Sequence, residues 1–314
     1  MKIRITIIFL TLAYVANASV SGAAGGEAPG AAKLPWEDLR ADLERRVGLE
    51  VEAARRISEA EEHYRLGVQL LRRSRRSEAL DHFRQAESSI LDAGEEAYMA
   101  SSLQNYLHRL RSRIAAEGAA DPAKPASGPV PEDLVEGATL RWLAAAVRRP
   151  ISEEPALRAI FRTERVPEEL IYVGLVESGY RRDAISRAGA AGPWQFIDET
   201  GRRYGLSRGK DGDDRRNLLK STRAAARYLR DLFDLLGDWT LAVAGYNAGE
   251  YRVLRAMQQA HATDFWSVRS LLPKETAAYV PRVLAAIALA KRAGSAGSSP
   301  GNAGLAAFKP AQIE

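Results

Sequence analysis

Cysteine is absent from the 314 residues, and that absence removes several chemistries at once. A disulfide framework, a thiolate nucleophile, a cysteine-held iron-sulfur cluster or zinc site and a lipid-attachment cysteine are all excluded. Histidine is scarce: His63, His82, His108 and His261 are the four, and none lies between residues 166 and 249. A histidine triad therefore cannot be built inside that segment. Metal-ligand spacing is lacking, so no cofactor is expected, and there is neither a P-loop nor a dinucleotide fingerprint. The alternating apolar and polar runs of strands are missing from residues 135–293, which makes this part mostly α. The apolar run at residues 5–16 is too short to cross a bilayer comfortably.

What is present begins with Lys2 and Arg4, that apolar run, and Ala16-Asn17-Ala18 as an A-x-A site. Together they read as an export signal, residues 1–18, whose cleavage releases a soluble exported chain with no transmembrane segment; an uncleaved anchor is the alternative. With 46% hydrophobic and 27% charged residues, the chain has material for one sizeable core and a smaller second unit. The net charge of +5 is spread, and the arginines from 72 to 76 have acids nearby in the chain. Solvated helix faces follow, and nucleic acid is not an expected partner.

Composition then divides the chain. Residues 19–34 are a Gly/Ala-rich lead, and residues 35–115, nearly free of Pro and Gly, form a helical unit. Within it Leu66, Gly67, Leu70, Ala79, Phe83 and Ala86 resemble the small and large positions of one tetratricopeptide repeat, and a plain helical hairpin is the equal alternative. Residues 116–134 concentrate Gly, Pro, Ala and Ser as a linker, residues 135–293 are the second domain, and residues 294–314 are a disordered tail. In the second domain Pro167 with Glu168 and Glu169 marks a first turn. Ser221 is the expected N-cap of a helix with Leu229, Leu232, Phe233 and Leu236 on one face, Gly237 ends it, and Asp238 caps the next. Pro281 is expected to restart the final helix, leaving Tyr279 at the junction.

One carboxylate is unusually placed. Leu170, Val173, Gly174 and Glu177 follow i, i+3, i+4, i+7, so Glu177 continues an apolar stripe and ends just before a Ser-Gly break. Burial there raises a carboxyl pKa, as a general acid in sugar chemistry requires. A salt-bridged Glu at a helix end is the bland alternative. With no G-x-S-x-G elbow around Ser178, acid chemistry by Glu177, supported by Ser, Gln, Tyr and Asn, is what remains.

The motifs VESGYRRDAISRAGAAGPWQF, TGRRYGL, KSTRAAARYL, GDWTLAVAGYNAGEYRV and FWSVRSLLPKETAAYVPRVL resemble, in order, those of the soluble lytic transglycosylase (SLT) domain, with most similarity to the membrane-bound lytic murein transglycosylase D type. The resemblance covers about half the chain. It implies a goose-lysozyme-like α fold and cleavage of the MurNAc-GlcNAc β-1,4 bond of peptidoglycan glycan strands without water. Glu177 would act as acid and then base, leaving a 1,6-anhydromuramyl end, and substrate assistance would remove the need for a second carboxylate. Ser186, Gln195, Tyr246 and Asn247 match substrate-binding positions, and Tyr279 matches a late tyrosine that orients the acid. The setting implied is the periplasm, with the N-terminal helical unit available to a protein partner.

Three departures stand out. Pro193 replaces an apolar residue and is expected to shift the loop bearing Gln195; Gly245 replaces Ala; and Tyr251 replaces Gly, on what is expected to be a cleft side. The Asp-Pro common before K-S-T is also missing. A lysozyme-type hydrolase and an inactive glycan-binding scaffold are the alternatives, separated from the first reading by product chemistry and by turnover.

Overall fold

A computed structural model describes residues 35–100, 102–118, 131–149, 151–210 and 212–295. The expected export signal, lead, most of the linker and all but the first residues of the tail lie outside the described residues. The chain divides after Gly48 into two units. In the first, the opening of α1 (Pro35–Arg72) is laced by exposed pairs such as Arg40 with Glu44 and Arg45 with Asp42, each contributing a few tenths of a kcal/mol, about 0.3.

The second unit, from Leu49 onward, opens with a helical layer. The remainder of α1 packs with α2 (Arg76–Leu91), α3 (Glu95–Ala100) and α4 (Leu103–Ala116). Ala53 and Ala60 of α1, Ala79, Phe83, Ala86 and Ile90 of α2, and Leu103, Leu107 and Leu110 of α4 form its buried face. Small residues let the helices close up: a Cβ on Gly67 would stand 2.6 Å from the Phe83 ring. That pairing does not by itself make a tetratricopeptide repeat, since such repeats need neighbouring copies to cover their faces.

Residues 131–295 are mostly α, as expected. A 3-10 turn (Pro131–Leu134) and α5 (Gly137–Ala146) pack on the last helix, α13 (Lys274–Ser295). Between them come α6 (Glu154–Thr163), a 3-10 turn (Glu168–Ile171), α7 (Tyr172–Ser178) and α8 (Asp198–Arg203). Then follow α9 (Leu218–Leu236), α10 (Trp239–Ala248), α11 (Glu250–Ala260) and α12 (Phe265–Val268). A short antiparallel hairpin, β1 (Arg208–Gly209) with β2 (Gly212–Asp213), pairs Arg208 with Asp213. Strands of two residues carry no alternation, which is why the sequence gives no sign of them.

Helix α10 sits at the centre, packed by α9, α11 and α13. Its run Leu241, Ala242, Val243, Ala244, Gly245 is buried; a helix apolar all round has no solvent face. Gly245, one of the departures, fits this position: a Cβ there would meet Leu232 Cδ2 at 3.0 Å and Leu236 Cδ1 at 3.2 Å.

Helix punctuation follows the sequence at several points and corrects it at three. Asp238 caps α10 by accepting from the N–H groups of Thr240 and Leu241, and Gly237 closes α9 in a left-handed conformation. The N-cap of α9 is Asn217, whose Oδ1 accepts from Lys220 N at 3.0 Å. Ser221 instead lies buried one turn inside, its hydroxyl donating back to Asn217 O at 2.6 Å. Pro167 precedes a 3-10 turn containing Glu168 and Glu169, and α7 proper starts at Tyr172. Pro281 does not restart a helix; α13 runs through it.

The helical layer meets the α9–α11 region along a polar seam. Gln104 donates to Glu250, Arg111 to Leu235 O, and Tyr251 to Leu91 O at 3.1 Å. The rings of Tyr251 and Tyr98 stand 5.3 Å apart, and Arg255 pairs with Asp92 at 2.6 Å. Tyr251 is thus committed to this seam, not to a cleft as its position in the motif suggested.

Candidate active site

Glu177 is the last residue but one of α7, on the stripe read from the sequence: Leu170, Val173 and Gly174 are buried, and Glu177 is partly exposed. The helix stops because Gly179 adopts a left-handed φ of 64°, a conformation open to glycine at little cost. Gly174 lets α7 approach its surroundings, since a Cβ there would lie 2.8 Å from the Tyr180 ring and 3.3 Å from Trp194.

The carboxyl of Glu177 receives a 2.6 Å hydrogen bond from the Tyr279 hydroxyl. Burial is the largest influence on it and pushes its pKa up to about 7; the Tyr279 hydrogen bond and Arg282 pull the other way, while Glu275 adds to the rise. Burial, with the Glu177 charge beside it, drives the Tyr279 phenol well above its ordinary value. Tyr279 therefore stays protonated and donates. Tyr246 is likewise held protonated by burial and by Glu177.

The other residues singled out in the sequence divide into framework and loop. Tyr246 spends its hydroxyl on Trp194 O at 2.8 Å, and Asn247 Oδ1 accepts from the buried Thr276 hydroxyl at 2.7 Å. Asn247 thereby ties the end of α10 to the first turn of α13, the helix that carries Tyr279. Ser178, next to Glu177, donates to Pro193 O at 2.9 Å. The consecutive carbonyls of residues 193 and 194 are thus held from two sides, which brings Gln195 to the end of α7. Gln195 has a left-handed φ of 49°. Its amide nitrogen reaches Gly192 O at 2.8 Å, and its side-chain oxygen is an acceptor still available to a ligand. Ser186 accepts from Ala190 N at 3.1 Å, closing a turn, and its hydroxyl proton remains to be donated. Pro193 is buried within this network, and the loop it belongs to is closed on α7.

Several residues that hold the loop gave no signal in the sequence. Arg215 is 5% exposed and forms a bidentate pair with Asp213, Nη2 to Oδ2 at 2.6 Å and Nε to Oδ1 at 2.9 Å. Its Nη1 donates to Gly189 O and Phe196 O, both at 3.0 Å, stapling both limbs of the Ser186–Gln195 loop. Bridges between Ile185 and Ala191, and between Ala191 and Phe196, complete it. The backbone of Arg215 presses on Gly192: a Cβ there would lie 1.9 Å from Arg215 O. Trp194, fully buried, donates to Thr222 Oγ1 at 2.8 Å. An Arg within D-D-R-R and a Thr inside a helix read as solvent-facing residues until the fold places them.

A cavity of about 330 Å³ is lined by Trp142, Arg149, Leu175, Gly179, Tyr180 and Arg182 among others. Leu175 stands two residues from Glu177, about 200° around the helix, so this cavity opens on the other face of α7. Among the described residues no three or more His, Asp or Glu side chains gather as metal ligands do, and no helix is long and apolar enough to cross a membrane.

Residues 155–268 match the family model described as "Transglycosylase SLT domain". Over 129 residues the chain is 43% identical to "Membrane-bound lytic murein transglycosylase D" of Escherichia coli (strain K12), and equally to the protein of that name from Escherichia coli O6:H1 (strain CFT073). Each alignment takes in 40% of this chain and 28% of the relative, so the chain spans under a third of the length of these relatives. The resemblance read from the motifs is borne out over the matched span, which contains Glu177, Ser186, Gln195, Tyr246 and Asn247 and ends before Tyr279.

Proposed function

We propose that this chain is an exported lytic transglycosylase that cleaves peptidoglycan glycan strands in the periplasm. Glu177, protonated, gives its proton to the glycosidic oxygen of the MurNAc-GlcNAc β-1,4 bond, which breaks with the electron pair leaving on that oxygen. The resulting carboxylate then takes the proton of the muramyl O6 hydroxyl as O6 closes on C1, and the product is a 1,6-anhydromuramyl end. No water is consumed, and the acid returns to its starting form.

The observation that carries this reading is a single carboxyl, raised to about 7 chiefly by burial, whose ionised form is met by a permanent donor 2.6 Å away. A group with a pKa near neutrality serves both as acid and as base at that pH. Hydrolases of the two-carboxylate type need a second acid about 5–9.5 Å away. The next acid along the chain, Asp183, is exposed, and Glu275, whose charge bears on Glu177, is exposed as well. The similarity to proteins named membrane-bound lytic murein transglycosylase D favours the same activity. Gln195 and Ser186 are assigned to the substrate, through the amide oxygen and the hydroxyl proton. Tyr246, Asn247 and Tyr279 act behind them, fixing the loop and the acid. The helical layer, joined to α9–α11 by its seam, buttresses this region and has its outer face left for a protein partner.

Mass spectrometry of purified peptidoglycan digested by the protein tests the proposal. Anhydromuramyl ends that disappear with Glu177→Gln are expected. Reducing-end products would transfer the reading to a hydrolase, and intact glycan bound without turnover would transfer it to a scaffold.

A further inference from the structure

Helix α13 continues through Pro281, and a proline inside a helix has two local effects. It lacks the N–H owed to the carbonyl four residues back, and its ring crowds that same oxygen. Here the carbonyl is that of Ala277, and Nε of Arg269 donates to it at 2.8 Å. Arg269 opens the 3-10 turn Arg269–Leu271 just ahead of α13 and is partly buried. The next carbonyl, of Ala278, accepts from Arg282 Nε at 3.1 Å. The turn treated in this way carries Thr276, bonded to Asn247, and Tyr279, bonded to Glu177.

We propose that Arg269 is a positioning residue for Glu177: its guanidinium replaces the N–H missing at Pro281, fixes the first turns of α13, and so keeps the Tyr279 hydroxyl on the carboxylate. This rests on Glu177 being the acid, but the positioning itself requires no glycan. An unpaired carbonyl in partly buried backbone is costly, and without Arg269 the turn relieves that cost by moving, which moves Tyr279. Tyr279, Glu275 and Arg282 of α13 and Tyr246 of α10 are the titratable and charged groups acting with Glu177. Only Tyr279 among them donates to the carboxyl.

The test is a double-substitution cycle on the full chain, with Arg269→Met, Pro281→Ala and the pair, read by 13C NMR titration of the Glu177 carboxyl. In the Pro281→Ala background residue 281 again offers an N–H to Ala277, so Arg269 is no longer needed for position. Loss of the arginine's charge acts equally in both backgrounds. The upward shift of the Glu177 midpoint on Arg269→Met is expected to be larger, by about half a pH unit, in the parent than in the Pro281→Ala background. The turnover number on glycan falls about tenfold with KM within about twofold in the single variant, and much less in the pair. Equal shifts in the two backgrounds overturn the proposal, as does a lowered melting temperature with an unmoved titration. If Arg269→Met does not fold, Arg269→Leu, which likewise removes every donor to Ala277 O, supplies the same comparison, and equal shifts in the two backgrounds there overturn it too. Because the titration needs no substrate, failure of the transglycosylase reading leaves this result interpretable.

Discussion

Tyr279 lies 102 residues after Glu177 in the chain and places its hydroxyl 2.6 Å from Glu177 Oε1. The phenol favours the ionised carboxyl while burial favours the neutral one, and the balance between the two sets the pH at which this carboxyl titrates. Tyr279→Phe removes the donor and keeps the ring. The Glu177 midpoint should rise above about 7, by up to one unit, and the basic limb of the pH-rate profile should move up with it. Turnover should fall roughly 10–100-fold through lost orientation. A profile whose basic limb stays in place or moves down would refute this.

The same group makes folding stability depend on pH. Its folded pKa of about 7 exceeds the ordinary 4.5, so the native state holds a proton that the unfolded chain has released. That stabilisation is complete below about pH 4.5, is lost as pH rises through about 7, and is absent above. Glu177→Gln removes the dependence and should raise stability at pH 8 by about 1–3 kcal/mol relative to the parent, with little gain at pH 4. Urea denaturation at the two pH values measures the difference.

Gly192 and Arg215 should be among the least tolerant positions of the loop. Gly192→Ala puts a methyl group 1.9 Å from Arg215 O at a φ of 79° and should cost at least about 2 kcal/mol. Arg215→Met strands the Asp213 carboxylate and frees the carbonyls of Gly189 and Phe196, at a cost of about 3–5 kcal/mol. Thermal unfolding reports both. An unchanged transition for either would remove the staple from the account.

Along the seam, Tyr251→Phe should cost about 0.5–1.5 kcal/mol by deleting the hydrogen bond to Leu91 O. Tyr251→Gly, which also empties the place beside Tyr98, should cost roughly 3 kcal/mol or more. Because the ring belongs to the seam, Tyr251→Phe should leave turnover within about twofold. Turnover lost without a change in melting temperature would instead put the side chain at the cleft.

Much of this protein was determined by local sequence. The apolar stripe ending at Glu177, the Ser-Gly break after it, the cap at Asp238 and the stop at Gly237 rest on spacing and on the conformational freedom of single residues, and these depend on neighbours a few positions away. The absence of cysteine and the order of the motifs limited the chemistry in the same way. Only the tertiary structure decided the rest. Asn217 took the cap from Ser221 because Ser221 lies in the core. Pro281 stayed within α13 because Arg269, from a separate turn, takes the role of its missing donor. Tyr251 turned to the helical layer because Tyr98 and Leu91 lie there, and Arg215 became the loop's staple only when three carbonyl and carboxylate partners converged on it. The pKa of Glu177 is set by burial and by a hydroxyl 102 residues away. Desolvation and hydrogen bonding between distant segments exist only once the chain has packed, so no periodicity in the sequence encodes them.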